Sequence, residues 1–253
     1  MSLCEGTLMD SGYYAACTAL VSRTQALDTI ANNLANVSTV GFRAEHNQFS
    51  SILTNAGGGS SSALDQAINN FGILGGTSLD ETQGALQKTG NDLDVGIEGS
   101  GYFVVQTNNG PMYTRNGAFQ VSSKGQLVTS TGDAVMGDKG VISVPPGTVS
   151  ISPDGTISSN GAVTGKLKVV EFPAGTELTT QGSTYYSAPP NTAGAATSSS
   201  VRQGTLESSN VNPIASMVEL VNAQRSAEMM QRALTMFNSE MDKTATQDLP
   251  KVS

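Results

Sequence analysis

The chain has 253 residues, enough for one large domain or two ordinary ones with a sizeable core. Its formal net charge of −8 argues against a nucleic-acid partner or an anionic membrane surface, both of which call for basic patches. Charged residues make up only 13%, against about 25% in ordinary soluble domains; so sparsely charged a surface resists self-association poorly, which suits an assembly subunit better than a freely diffusing enzyme.

The chain opens with eight residues before Met9-Asp10, a second possible start. Gly12–Val21 is apolar enough to imitate a signal peptide, and Tyr14-Ala15-Ala16-Cys17 imitates a lipoprotein cleavage box. No Lys or Arg precedes Arg23, however, while Glu5 and Asp10 do, so the basic region of a cleaved signal is missing. Any export is expected to proceed without cleavage. No run of 18 apolar residues exists, so no membrane insertion is expected.

A first helix is predicted from about Gly12 to Asn36, capped by Asp10 or Ser11. Cys17, Leu20, Thr24, Leu27, Ala31 and Leu34 recur along it every three or four residues, the coiled-coil interval. Cys17 reads as a small buried hydrophobe on that seam, and a Cys4–Cys17 disulfide would have to reach onto it. The helix stops in Asn36, Val37, Ser38, Thr39 and Gly41, where Asn and Gly tolerate left-handed backbone and Ser and Thr compete for backbone hydrogen bonds. Phe42, Phe49, Ile52 and Leu53 mark a mixed segment, Gly57–Ser62 a flexible linker, and Ala63–Gly76 is ambiguous.

From about Leu79 the period changes to two. Strands are predicted at Tyr102–Thr107, Met112–Thr114, Phe119–Val121, Gln126–Thr129, Val141–Val144, Val149–Ile151, Thr156–Ser158 and Leu167–Phe172. Turn pairs such as Asn109-Gly110, Asn116-Gly117 and Asp154-Gly155 separate them, as hairpins require. Short strands at this spacing mean an antiparallel β domain. Thr176–Ser200 reads as a polar loop. Asn212-Pro213 then opens a second helix, a capping side chain followed by proline at the first helical position. Its stripe is Leu220, Ala223, Ala227, Met230, Leu234, Phe237 and Met241, and Pro213–Thr246 would extend about 50 Å. Met229, Met230, Met236 and Met241 offer adaptable packing.

The fold class is therefore α+β: a discontinuous pair of long terminal helices of coiled-coil type with an inserted antiparallel β domain. The expected divisions are 1–48 (tail and first helix), 49–85 (linker), 86–205 (β domain) and 206–253 (second helix). On the first helix only Leu20, Leu27 and Leu34 are large, worth roughly 1.5–3 kcal/mol each if fully buried. Ordering each residue costs on the order of 1–2 kcal/mol in backbone entropy. The terminal helices are thus expected to be marginal alone and to gain order from neighbouring copies.

No catalytic constellation, cofactor motif or metal spacing emerges. His46 is the single histidine, flanked by Glu45 and Asn47, and reads as a solvated polar residue. Gly96-Ile97-Glu98-Gly99-Ser100-Gly101 has the order G-x-x-G-x-G and precedes a strand rather than a helix, so it reads as a tight turn, not a phosphate loop. Asp92 and Asp94 read as solvated acids.

Three stretches carry a resemblance. They are Ala31-Asn32-Asn33-Leu34-Ala35-Asn36-Val37-Ser38-Thr39-Val40-Gly41-Phe42; Asp92–Val105 with Tyr113–Phe119 and Gly125–Val128; and Gly204–Asn212 leading into Met217–Met241. Together they resemble the bacterial flagellar rod and hook proteins, essentially along the whole chain. The resemblance implies a non-enzymatic structural subunit of the basal-body rod that stacks helically, with terminal helices inside and β domains outside. It implies self-association, partners among other rod and hook subunits, and uncleaved passage through the flagellar export apparatus. The length and the Met9-Asp10 opening with Tyr13 look most like the proximal-rod member; the distal-rod member is the near alternative and the longer hook protein a further one. The 1–8 extension and the Gly57–Ser62 linker depart from the pattern. The expected assembly interface comprises Leu20, Leu27, Asn32, Asn33, Leu34, Asn36, Val37, Gly41, Phe42, Leu220, Ala227, Met230, Leu234, Phe237 and Met241. Two readings of other classes remain: a secreted β-rich adhesin, which would not need heptads at both termini, and an enzyme with a shallow site in the β domain.

Overall fold

The structure, a computed structural model, describes residues 5–50 and 73–247. Cys4, the Gly57–Ser62 linker and most of Ala63–Gly76 lie outside the described residues. Among the described residues two long helices bracket nineteen short strands, an α+β architecture. The backbone divides into two units, one of Met1–Leu34, Glu45–Ser78 and Pro213–Ser253, the other of Ala35–Ala44 and Leu79–Asn212.

The first unit contains α1 (Glu5–Ala35), α2 (Pro213–Gln247) and a ladder between the strands Glu45–Ser50 and Ile73–Leu79. α1 begins earlier than Gly12, so Asp10 and Ser11 lie within the helix rather than at its cap. α2 opens at Pro213, where a missing N–H is harmless. Ser and Thr survive inside both helices by bonding back one turn: Thr24 Oγ1 to Leu20 O at 2.9 Å, and Ser226 Oγ to Asn222 O at 2.9 Å. Among the described side chains of the two helices, the buried ones are small or polar: Ser22, Ala26 and Asn33 on α1, Ser216 and Ala227 on α2. Small residues let elements approach closely.

The second unit is built on the strand Tyr102–Thr107. It pairs along one edge with Gly110–Thr114, in the register Phe103↔Thr114 to Thr107↔Gly110. Its other edge takes Val169–Glu171 at its start and Ala134–Gly137 further along. The antiparallel sheet grows outward from there to Thr179–Gln181 at one end and Gln120–Val121 at the other. A three-stranded sheet (Val149–Ile151, Thr156–Ser159, Ala162–Lys166) and two ladders complete the unit, Ser200–Gln203 on Val95–Glu98 and Thr205–Glu207 on Leu86–Lys88.

Alternation places Phe103 and Val105 in the main core with Ile97, Phe119, Leu127 and Ile157. Tyr102 and Val104 face the opposite way, into a second cluster with Val170 and Tyr186. Edge-to-face aromatic contacts mark both sides, Phe103–Phe119 at 5.0 Å and Tyr102–Tyr186 at 5.7 Å between centroids.

Two expectations need correcting. Thr176–Ser200 is not a loop throughout: it holds strands Thr179–Gln181, Tyr185–Ser187 and Gly194–Ala195, and Tyr186 is fully buried. Asn116-Gly117 is not a positive-φ hairpin turn. Gly117 is required instead because a Cβ there would lie 1.7 Å from the Val95 carbonyl oxygen.

Candidate assembly surfaces

The helix stop after α1 is built from local bonds. Thr39 N donates to Asn36 O at 3.1 Å, and Thr39 Oγ1 donates to Asn36 Oδ1 at 3.1 Å. Gly41 follows with φ of 70°. Its missing side chain is essential, since a Cβ would sit 2.4 Å from Asn116 N and 2.5 Å from Arg115 C, both backbone atoms. Gly41 N donates to Glu207 O at 2.8 Å. Phe42 is buried with Ala44 and Val211, and Val37 packs against them.

This stop segment is held by a three-residue ionic node. Arg43 Nη2 lies 2.9 Å from Glu207 Oε1 and Arg115 Nη1 lies 3.2 Å from Glu207 Oε2, with all three side chains about 1% exposed. Glu207 Oε1 also accepts from Gly84 N at 2.9 Å, and Arg43 Nη1 donates to Glu81 O at 3.0 Å. Arg115 stacks over the Tyr102 ring at 4.7 Å. Burial pulls the Arg115 pKa below its ordinary value, with Arg43 adding to the fall and Glu207 opposing it. Burial raises the Tyr102 and Tyr186 phenols, so both are neutral near pH 7.

Asn210 closes the same place. Its Oδ1 accepts from Ala44 N at 2.7 Å, and its Nδ2 donates to Asp80 O at 3.1 Å and Thr82 O at 3.0 Å. Asp80 N donates to Ala44 O at 2.8 Å. The backbone passes between the units four times, at 34/35, 44/45, 78/79 and 212/213. Within the second unit, residues 35–44, 79–84 and 207–211 are thus knitted into one cluster.

In the first unit Asn33 does comparable work. Its Oδ1 accepts from Glu45 N at 2.9 Å and its Nδ2 donates to Glu45 O at 2.8 Å, fastening the last turn of α1 to the first strand. Asn32 is exposed and Asn36 half-buried. A polar cavity of about 380 Å³ is lined by Arg23, Asn33, His46, Glu219 and Asn222, among others.

The predicted seam residues Leu20, Leu27, Leu34, Leu220, Met230 and Leu234 are all half-buried, and Ala227 is buried. The side chains of Phe237 and Met241 lie outside the described residues. α2 carries a second apolar face that the heptad reading passed over. Ile214, Met217, Val218, Val221, Met229 and Met236 are exposed, five of them by more than half. Ile214, Val218, Val221, Met229 and Met236 lie on the side of the helix away from Leu220, Ala227 and Leu234, while Met217, one turn before Leu220, borders that stripe.

Elsewhere the chemistry is structural. Asp94 is buried and accepts from Asn91 Nδ2 at 2.9 Å, which corrects its reading as a solvated acid, while Asp92 is exposed. Of Gly96–Gly101, expected as one tight turn, Gly96–Glu98 belong to a strand and only Gly99–Gly101 join it to the next. Among the described residues, no group of three or more His, Cys, Asp or Glu could hold a metal, and no helix is long and apolar enough to cross a membrane.

Comparison with known proteins follows the same geography. Residues 14–43 match the family described as flagella basal body rod protein, residues 96–164 the flagellar hook protein FlgE/F/G D1 domain, and residues 202–248 the C-terminal region of flagellar basal body rod FlgEFG proteins. The chain is 31% identical to the flagellar basal-body rod protein FlgF of Caulobacter vibrioides over 249 residues, covering 97% of this chain and 100% of that protein. The chain belongs to the flagellar basal-body rod protein family. It is also 33% identical to FlgF of Salmonella typhimurium, across 90% of this chain and 94% of that protein. FlgG of Bacillus subtilis is 34% identical, across 83% and 88%.

Within this rod-family chain the ionic node takes one residue from each matched segment: Arg43 ends the first, Arg115 lies in the second, and Glu207 lies in the third. None of the three was singled out from sequence. The available signal was their charge, set inside or beside the most recognisable stretches of a chain with only 13% charged residues.

Proposed function

We propose that this chain is a structural subunit of the flagellar basal-body rod, stacking helically through its terminal helices to build the axial drive shaft. The observation that carries the reading is the pair of opposed apolar faces on α2. A helix that presents Leu220, Ala227 and Leu234 on one side and Val218, Val221, Met229 and Met236 on the other needs partners on both. Half-buried Leu20, Leu27 and Leu34 on α1 offer a matching surface on sister copies. The thin charge complement favours such association.

On this reading the terminal helices pair as a coiled coil, and Asn32, Asn33, Asn36, Val37, Gly41 and Phe42 form the turn between them and the outer β domain. The organisation is that of 1–48 and 206–253 around a linker at 49–85 and a β domain at 86–205. Partners are further copies and other rod and hook subunits. Delivery runs through the flagellar export apparatus without signal cleavage, to the periplasm-spanning part of the basal body. Alignment with FlgF of C. vibrioides over its full length supports the proximal rod, with the distal rod, as FlgG, the alternative.

Leu34→Asp, Leu234→Asp and Val221→Asp test the reading. Each should stop rod assembly, scored by electron microscopy of basal bodies and by swarming, while the β-domain circular dichroism is unchanged. Full motility with all three would refute it.

A further inference from the structure

The ionic node is short of negative charge and of hydrogen-bond acceptors. Two guanidiniums, Arg43 and Arg115, share the carboxylate of Glu207, all about 1% exposed. A buried cation without a counter-charge is costly, and interiors normally avoid it. The phenols cannot supply the missing charge, because burial keeps Tyr102 and Tyr186 protonated. Glu81 gives Arg43 its backbone carbonyl; its carboxylate also acts on Tyr102, but from an exposed position where water screens it, so it does not replace a buried counter-charge.

The donors tell the same story. Arg43 Nε, Arg43 Nη2, Arg115 Nε and the Tyr186 hydroxyl are buried without an acceptor. The 2.9 Å approach of Arg43 Nη2 to Glu207 Oε1 is an ion pair whose N–H does not point along the contact. Glu207 spends its oxygens on Gly84 N and Arg115 Nη1 as well. Orphaned donors at this level of burial call for a partner.

We infer that the node is a binding site for a small monovalent anion, chloride in ordinary salt, held by Arg43, Arg115 and Tyr186. The chemistry selects the class. A halide accepts several hydrogen bonds, brings no hydrogens of its own and cancels the surplus charge. Water would cancel nothing and add two donors. A dianion would overcorrect the charge.

The test uses the full chain in sodium chloride and in sodium gluconate at equal ionic strength. Chloride should raise the melting temperature by about 3–6 °C for each tenfold increase in its concentration above the dissociation constant. Chloride-35 NMR should show line broadening from the bound ion. Tyr186→Phe, which keeps the packing, should raise the half-saturating chloride concentration about tenfold, the effect of losing one hydrogen bond to a charged group. Arg115→Met should remove the dependence. Equal melting temperatures in the two salts would overturn the inference, as would a chloride effect that persists unchanged in Tyr186→Phe, since that ion would be bound elsewhere.

Discussion

Glu207→Gln is the sharpest test of how the second unit is held. The substitution keeps the side-chain shape and an oxygen for Gly84 N, but removes the carboxylate that pairs with both Arg43 and Arg115. Removing one member of a buried ion pair costs about 3–5 kcal/mol, because the remaining charge stays buried. At about 2–4 °C per kcal/mol in a domain of 150–250 residues, the melting temperature should fall by roughly 6–20 °C. Thermal unfolding followed by circular dichroism reads this directly; tyrosine fluorescence is a clean second probe because the chain has no tryptophan. The double variant Arg43→Met/Glu207→Gln supplies the decisive arm. It removes a surplus cation together with the anion, so its cost should be clearly less than the sum of the single costs. A Glu207→Gln loss below about 1 kcal/mol, or strictly additive costs, would refute the account of the node as a charge-coupled unit.

Gly41→Ala should destabilise the stop segment by about 2–5 kcal/mol, combining about 1–2 for left-handed backbone with about 1–3 for collision with the backbone at Arg115 and Asn116. Faster amide exchange at Gly41, whose N–H bonds Glu207 O, would report it. Asn33→Ala strips both bonds from the Glu45 backbone; at about 1–3 kcal/mol, exchange of the Glu45 amide should rise about 10- to 100-fold while the β unit is unaffected. Glu171 is held below its ordinary pKa chiefly by the Ser199 hydroxyl at 2.6 Å, and also by Ser198. A depressed carboxylate stabilises fully above its ordinary value of 4.5 and loses that contribution as the pH falls through the lower folded value. Glu171→Gln should therefore lower stability at neutral pH and flatten its dependence on pH below about 4.5, measured by urea titration.

Features set by local chemistry were legible in the sequence. Asn212-Pro213 announces the start of α2 because capping and a fixed φ act within one turn. Tyr102–Thr107 emerged with its observed bounds because alternating large side chains serve two cores at once. Features set by distant pairing were not. Tyr185 and Tyr186 sit in a polar stretch, and it is their register against Thr114 and Tyr113 on one side and Gln181 and Thr180 on the other that makes it a strand. Glu207 is 92 residues from Arg115, and Ala44 is 166 from Asn210, so no window along the chain could join them. On the helices the apolar interval in the sequence and the burial within one chain single out different residues. Where Ala, Ser and Thr are abundant, several phases fit an interval of three and four, and among the described side chains of α1 the buried ones are Ser22, Ala26 and Asn33.

The backbone crosses between the two units four times, so they are joined by four covalent links rather than one. Within the β unit three of the segments next to those crossings, 35–44, 79–84 and 207–211, share one charged clasp and one asparagine. A pull on any one of them is therefore resisted by bonds to the other two, and no segment can peel away without breaking a buried contact.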